Sequence, residues 1–186
     1  MIARTHRLAA LCALVLAAHA PAVAAQSVAP DCSLRAVDDS RRYALRELQG
    51  RVLWIDFWAS WCGNCVEAVP FLNDLDRDFR ARGLAVLGIN LDEDPKEALA
   101  FLAKYPADFA QAADADGDCP RSFGVETMPA SYLIDRRGVI RYVHAGFRPG
   151  EAATLRARVS ELLAESAEAP QPPPGERDED ARANGR

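Results

Sequence analysis

Apolar positions in this chain come in blocks, and the spacing within each block says what it folds into. Val52 to Trp58 is apolar and aromatic except for Asp56. That is too little polarity for a surface strand, so the run predicts a strand at the centre of a sheet covered on both faces. Just before it, Leu45 to Leu48 predicts a short helical turn closed by Gly50. Downstream, Val66, Val69, Leu72, Leu75 and Phe79 recur at intervals of three and four and predict a helix with one core face. Pro70 lies inside it and should kink rather than end it, because the periodicity continues beyond. Leu84 to Leu91 predicts a second buried strand. Asp92-Glu93-Asp94-Pro95 then supplies acids, a cap and a proline for a helix reaching about Tyr105. Strand, helix, strand, helix in this order implies a parallel pair.

The stretch from 106 to 129 reads as irregular. Ala130 to Ile134 and Val139 to Ala145, joined by Asp135-Arg136-Arg137-Gly138, predict a hairpin. A last amphipathic helix runs from Pro149 to about Ala164 and buries Leu155, Val159, Leu162 and Leu163. The pattern is that of an α/β domain with a mixed central sheet and helices on both faces.

The two ends of the chain fall outside this pattern. Residues 1–25 carry Arg4 and Arg7, an apolar stretch from Leu8 to Ala18, and small residues through Ala22-Val23-Ala24-Ala25. Those are the three parts of a cleaved secretory signal. The apolar stretch is shorter than the roughly 20 residues that span a bilayer, which makes an uncleaved N-terminal membrane anchor the lesser reading. Cys12 follows Leu11 inside the apolar stretch, where lipid attachment normally needs a small residue, and is read as part of the signal core. Residues 166–186 hold Pro170, Pro172, Pro173 and Pro174, many charges and almost no large apolar side chain, and are expected to be a disordered tail. One domain, 27–165, is left between them. Without the signal the chain, tail included, carries 20 basic against 27 acidic residues, a formal charge of −7, and no nucleic-acid partner is expected.

Chemistry concentrates in Trp61-Cys62-Gly63-Asn64-Cys65, behind the first buried run. A strand leading through a short turn into a helix places Cys62 at the helix N-terminus, where unpaired N–H groups and the macrodipole favour a thiolate. A thiolate is the form that attacks disulfides. Cys65, one turn further and more buried, is placed to resolve the mixed disulfide. Asp56 stands between Ile55 and Phe57. Pointed inward beneath the cysteines, its carboxyl should titrate high and could take the proton of Cys65, directly or through a water. Export leaves Cys32 and Cys119 as well, and pairing Cys62 with Cys65 leaves these two for a structural disulfide. Two free thiols, or a resolving role for one of them, are the alternatives. Trp61 is the more exposed tryptophan by this reading and Trp58 the more buried.

Asp56-Phe57-Trp58-Ala59-Ser60-Trp61-Cys62-Gly63-Asn64-Cys65, then Pro70, Met128-Pro129 and Gly146, together resemble the thioredoxin fold. The segment 43–61, the signal and the helix near 96–105 are closer to the exported thiol:disulfide oxidoreductases typified by TlpA and ResA. The resemblance covers roughly residues 34–163. It implies catalytic Cys62, Cys65 and Asp56, a cis peptide bond at Met128-Pro129, and docking of an extended substrate segment at Trp61, Met128 and Pro129. Two departures stand out. Members of the exported branch commonly carry a glutamate three residues after the second cysteine; Ala68 stands there, with Glu67 turned elsewhere. The dipeptide Gly63-Asn64 adds no positive charge beside the thiolate, which favours a reductant over a strong oxidant.

The expected protein is therefore a periplasmic, monomeric thiol:disulfide oxidoreductase that reduces protein disulfides without a cofactor and draws electrons from a membrane thiol relay. A Cu(I)-binding assembly protein and a disulfide-forming oxidase are the alternatives. A peroxidase is disfavoured because no peroxidatic Thr and Arg pattern precedes Cys62, and a bare binding module because the dithiol set is intact. Asp114, Asp116 and Asp118 flank Gly117 but miss the calcium-loop spacing and are read as a solvated turn, with no metal expected. His144 is read as structural.

Overall fold

A computed structural model describes residues 27–165; the expected signal at 1–25 and the expected tail at 166–186 lie outside them. Seven strands form one sheet in the order β2-β1-β5-β4-β3-β6-β7. β3 (Val52–Trp58) is buried along its whole length and sits among neighbours on both sides. It pairs in parallel with β4 (Leu84–Asn90) and antiparallel with β6 (Ala130–Ile134). β6 turns back into β7 (Ile140–Ala145) as the expected hairpin.

Helix α1 (Gly63–Phe79) continues through Pro70. Its core face differs in part from the expected one. Cys65, Ala68, Phe71, Leu72, Leu75 and Phe79 are buried, whereas Val66 and Val69 are only partly so. Phe71 takes this place by packing at a tilt against Phe147 and meeting Trp54 edge-on. Helix α2 (Pro95–Lys104) starts at Asp94, whose carboxylate accepts the Lys96 N–H, with Pro95 in the first turn.

The stretch from 106 to 129 is not irregular throughout. It contains β5 (Ala110–Ala113), parallel to β4, and a short helix α3 (Asp118–Phe123) bracketed by Gly117 and Gly124 in left-handed conformations. β5 in turn pairs with β1 (Ser33–Ala36), and β1 with β2 (Arg42–Ala44) at the sheet edge. Alanine-rich β5 owes its strand state to neighbours on both sides rather than to local propensity.

Alternation along β3 splits the core. Leu53, Ile55 and Phe57 pack with Cys32, Leu34, Leu45, Cys119 and Phe123 on one face. Val52 and Trp54 pack under α1 and α4 (Ala152–Ala164) on the other, against Leu72, Leu75, Leu155 and Val159. A third cluster, with Trp58, Cys62, Cys65 and Phe101 of α2, closes the end that carries the cysteines. Each such side chain contributes roughly 1.5–3 kcal/mol on burial. Among the described residues no helix is long and apolar enough to cross a membrane.

Candidate active site

β3 ends at Trp58, and α1 begins at Gly63 with Cys62 in the capping position, where no side chain caps the helix. The N–H groups of the first turn therefore have no side-chain cap beside Cys62, and that turn holds no acidic residue to oppose a thiolate. Cys62 and Cys65 form a disulfide, 7% and 2% exposed. Trp61 beside them is 68% exposed, whereas Trp58 is 5% exposed and packs on Phe101. Cys32 and Cys119 form the second disulfide, which bolts α3 to the segment before β1.

Asp56 is 3% exposed and lies on the α1 side of β3. Burial pushes its pKa from 3.8 up to about 7, while the Ser131 hydroxyl, donating to Oδ1 at 2.6 Å, pulls the other way. Asp56 and Cys65 line one cavity of about 10 Å³, close to the room one water molecule needs. The Asp56 carboxyl and Cys65 thus border one small cavity beneath the disulfide.

Above the disulfide lies an open groove of about 640 Å³. Trp61, Cys62 and Asn64 form one side, Met128 and Val125 another, and Pro120 and Arg121 of α3 the far wall. The Met128-Pro129 peptide bond is cis, and the Pro129 carbonyl accepts the Gly146 N–H at 2.7 Å. The structure brings Cys62, Cys65, Asp56, Trp61 and Met128 around one site and places Pro129 directly behind Met128. Cys32 and Cys119 stand apart on the opposite face of the sheet.

Three features of the site escape the sequence pattern. Ser131, inside an apolar run, is the side-chain hydrogen-bond partner of Asp56 among the described residues. Asp92, expected among the helix-start acids, is instead 2% exposed; it accepts from the N–H and Oγ of Ser60 and from Asn90 Nδ2, and so holds the loop that presents Trp61 and Cys62. α3 forms the groove wall. A polar residue in or directly after a buried strand was the available signal for Ser131 and Asp92. The aspartates at 114 and 118 are engaged locally: Asp114 accepts the Cys119 N–H, and Asp118 pairs with Arg121. His144 Nε2 lies 3.2 Å from Glu151 Oε2.

The Redoxin family model matches residues 24–159. A thiol-disulfide oxidoreductase ResA of Bacillus thuringiensis subsp. konkukian is 26% identical over 102 residues, 55% of this chain and 59% of that one. A ResA of Geobacillus thermodenitrificans is 27% identical over 125 residues, 67% of this chain and 71% of its own length. The chain thus spans about three fifths of the first relative. A solved structure from Chlorobium tepidum, provisionally assigned as a thiol:disulfide interchange protein DsbE, is 38% identical with a TM-score of 0.72, over 74% of this chain and 96% of that one.

Proposed function

Because this chain belongs to the Redoxin family, we propose that it is an exported thiol:disulfide oxidoreductase, acting in the periplasm, that reduces disulfides of protein substrates. The observation that carries this reading is the Cys62–Cys65 pair at an uncapped helix N-terminus, with a groove above and a small cavity shared with Asp56 below.

In the reduced protein the Cys62 thiolate attacks a substrate disulfide, forming a Cys62–substrate bond and releasing the other substrate sulfur as a thiolate. Cys65 then gives its proton to Asp56 and attacks Cys62 Sγ. The Cys62–Cys65 bond forms, the bond to substrate breaks, and its electron pair leaves on the second substrate sulfur. Asp56, titrating near 7, is ionised often enough to accept the proton and basic enough to draw it. Buried Ala68 and exposed Glu67 leave Asp56 as the carboxyl in the cavity. Each turnover leaves the dithiol oxidised, so a partner dithiol, here a membrane thiol relay, must return two electrons.

Trapping tests this reading. Cys65→Ser should accumulate a Cys62-linked mixed disulfide with a protein substrate, and Cys62→Ser should accumulate none. Equal reduction of a protein disulfide by wild type and Cys62→Ser would end it.

A further inference from the structure

The strand register lines up one row of residues across five strands. Gln111 of β5 faces Gly88 of β4, Gly88 faces Asp56, Asp56 faces Ser131 of β6, and Ser131 faces His144 of β7. Gly88 is the gap in this row. A Cβ built on it would run into all three heavy atoms of the Gln111 carboxamide, so that side chain lies over Gly88, on the way to Asp56. Its Oε1 accepts the Trp58 Nε1–H at 2.9 Å. An indole N–H only donates, which fixes the orientation of the amide and commits its oxygen to Trp58. Gln111 also lines the cavity that Asp56 and Cys65 share.

We propose that Gln111 is a positioning residue of the resolving step: its carboxamide NH2, laid over Gly88 and held by Trp58, donates into the cavity between Cys65 and Asp56 and favours the carboxylate that accepts the Cys65 proton. The proposal rests on the reductase reading and deepens it. Gln111 exchanges no proton or electron. Cys65 is the other titratable group at the cavity; α2 presents Phe101 and Leu102 to it, and α1 adds Val69 and Leu72. On the β6 side Ser131 intervenes before the His144 and Glu151 pair.

Gln111→Glu keeps an acceptor for Trp58 and replaces the donor with a second carboxyl. Gly88→Ala leaves Gln111 in the chain but pushes its carboxamide aside. In both, the Asp56 midpoint read by carboxyl NMR in the oxidised protein should rise, by about one pH unit in Gln111→Glu, because a like charge disfavours ionisation. Below that midpoint, decay of the mixed disulfide should slow about tenfold, with the first attack by Cys62 changed less than twofold. An Asp56 midpoint unmoved in both variants, each folded as judged by its thermal transition, overturns the proposal. A moved midpoint in a protein that traps no mixed disulfide leaves the role of Gln111 at Asp56 standing and removes the reductase reading instead.

Discussion

Asp56 works against the stability of the domain that holds it. Its folded pKa is near 7 against 3.8 ordinarily, so between those values the native protein keeps a proton that the unfolded chain has released. Stability must fall as pH rises from about 4 to 7 and stay low above, a cost of about 4 kcal/mol for some three pH units. Asp56→Asn should remove this slope and raise the thermal midpoint at pH 8, while slowing mixed-disulfide resolution by about 100-fold. Urea melts from pH 4 to 8 check the first effect and single-turnover decay the second. An Asn variant with the wild-type pH slope would show that another group carries it. Asp56 was legible in the sequence because an acid inside an apolar strand is conspicuous. Gln111 was not, because its nearness to Asp56, 55 positions away in the chain, needs β5, β4 and β3 held in one register.

At the scale of elements, what the sequence showed divides by how much of each element's stability is local. β3, β4, the hairpin and α4 stand where their apolar runs and periodicity put them. β5 and α3 were missed: Ala110–Ala113 has little strand propensity of its own, and α3 has only six residues with Pro120 inside. Both are held by tertiary bonds, β5 by β4 and β1, and α3 by the Cys32–Cys119 disulfide. That disulfide spans 87 positions, and its loss should cost about 3–5 kcal/mol through loop entropy. The double variant Cys32→Ser with Cys119→Ser should therefore show a lower urea midpoint. Since Pro120 and Arg121 form the groove wall, it should also bind a substrate peptide more weakly, with the Cys62–Cys65 exchange rate toward a small disulfide kept. Equal urea midpoints would mean that packing alone holds α3.

For the whole molecule, the proposed reducing direction rests on the electrostatics at the end of the sheet. The first turn of α1 offers Cys62 its N–H groups, but no cationic side chain stands between the cysteines, and Asp56 lies buried below. The thiolate is thus favoured only moderately, and the dithiol should hold its electrons loosely enough to reduce. Equilibration against glutathione should give a potential nearer the −270 mV or so of reducing dithiols than the −120 mV or so of the strongest oxidants. A value at the oxidising end would reverse the proposed direction.

The row from Gln111 through Asp56 and Ser131 to His144 has one more consequence. On the α1 side of the sheet it runs between two apolar clusters, with Trp54 and Leu75 on one side of it and Trp58, Cys62 and Cys65 on the other. Such a polar line is a perforation across the core, along which the redox end can loosen while the rest stays shut. Amide hydrogen exchange should show it as a step in protection: Leu53 to Ile55 released only with global unfolding, and Cys65 to Val69 released earlier through a local opening. Uniform protection across the row would refute it. The fold would then have a tear-line at its redox end, and the carboxyl proposed to take the Cys65 proton lies on that line.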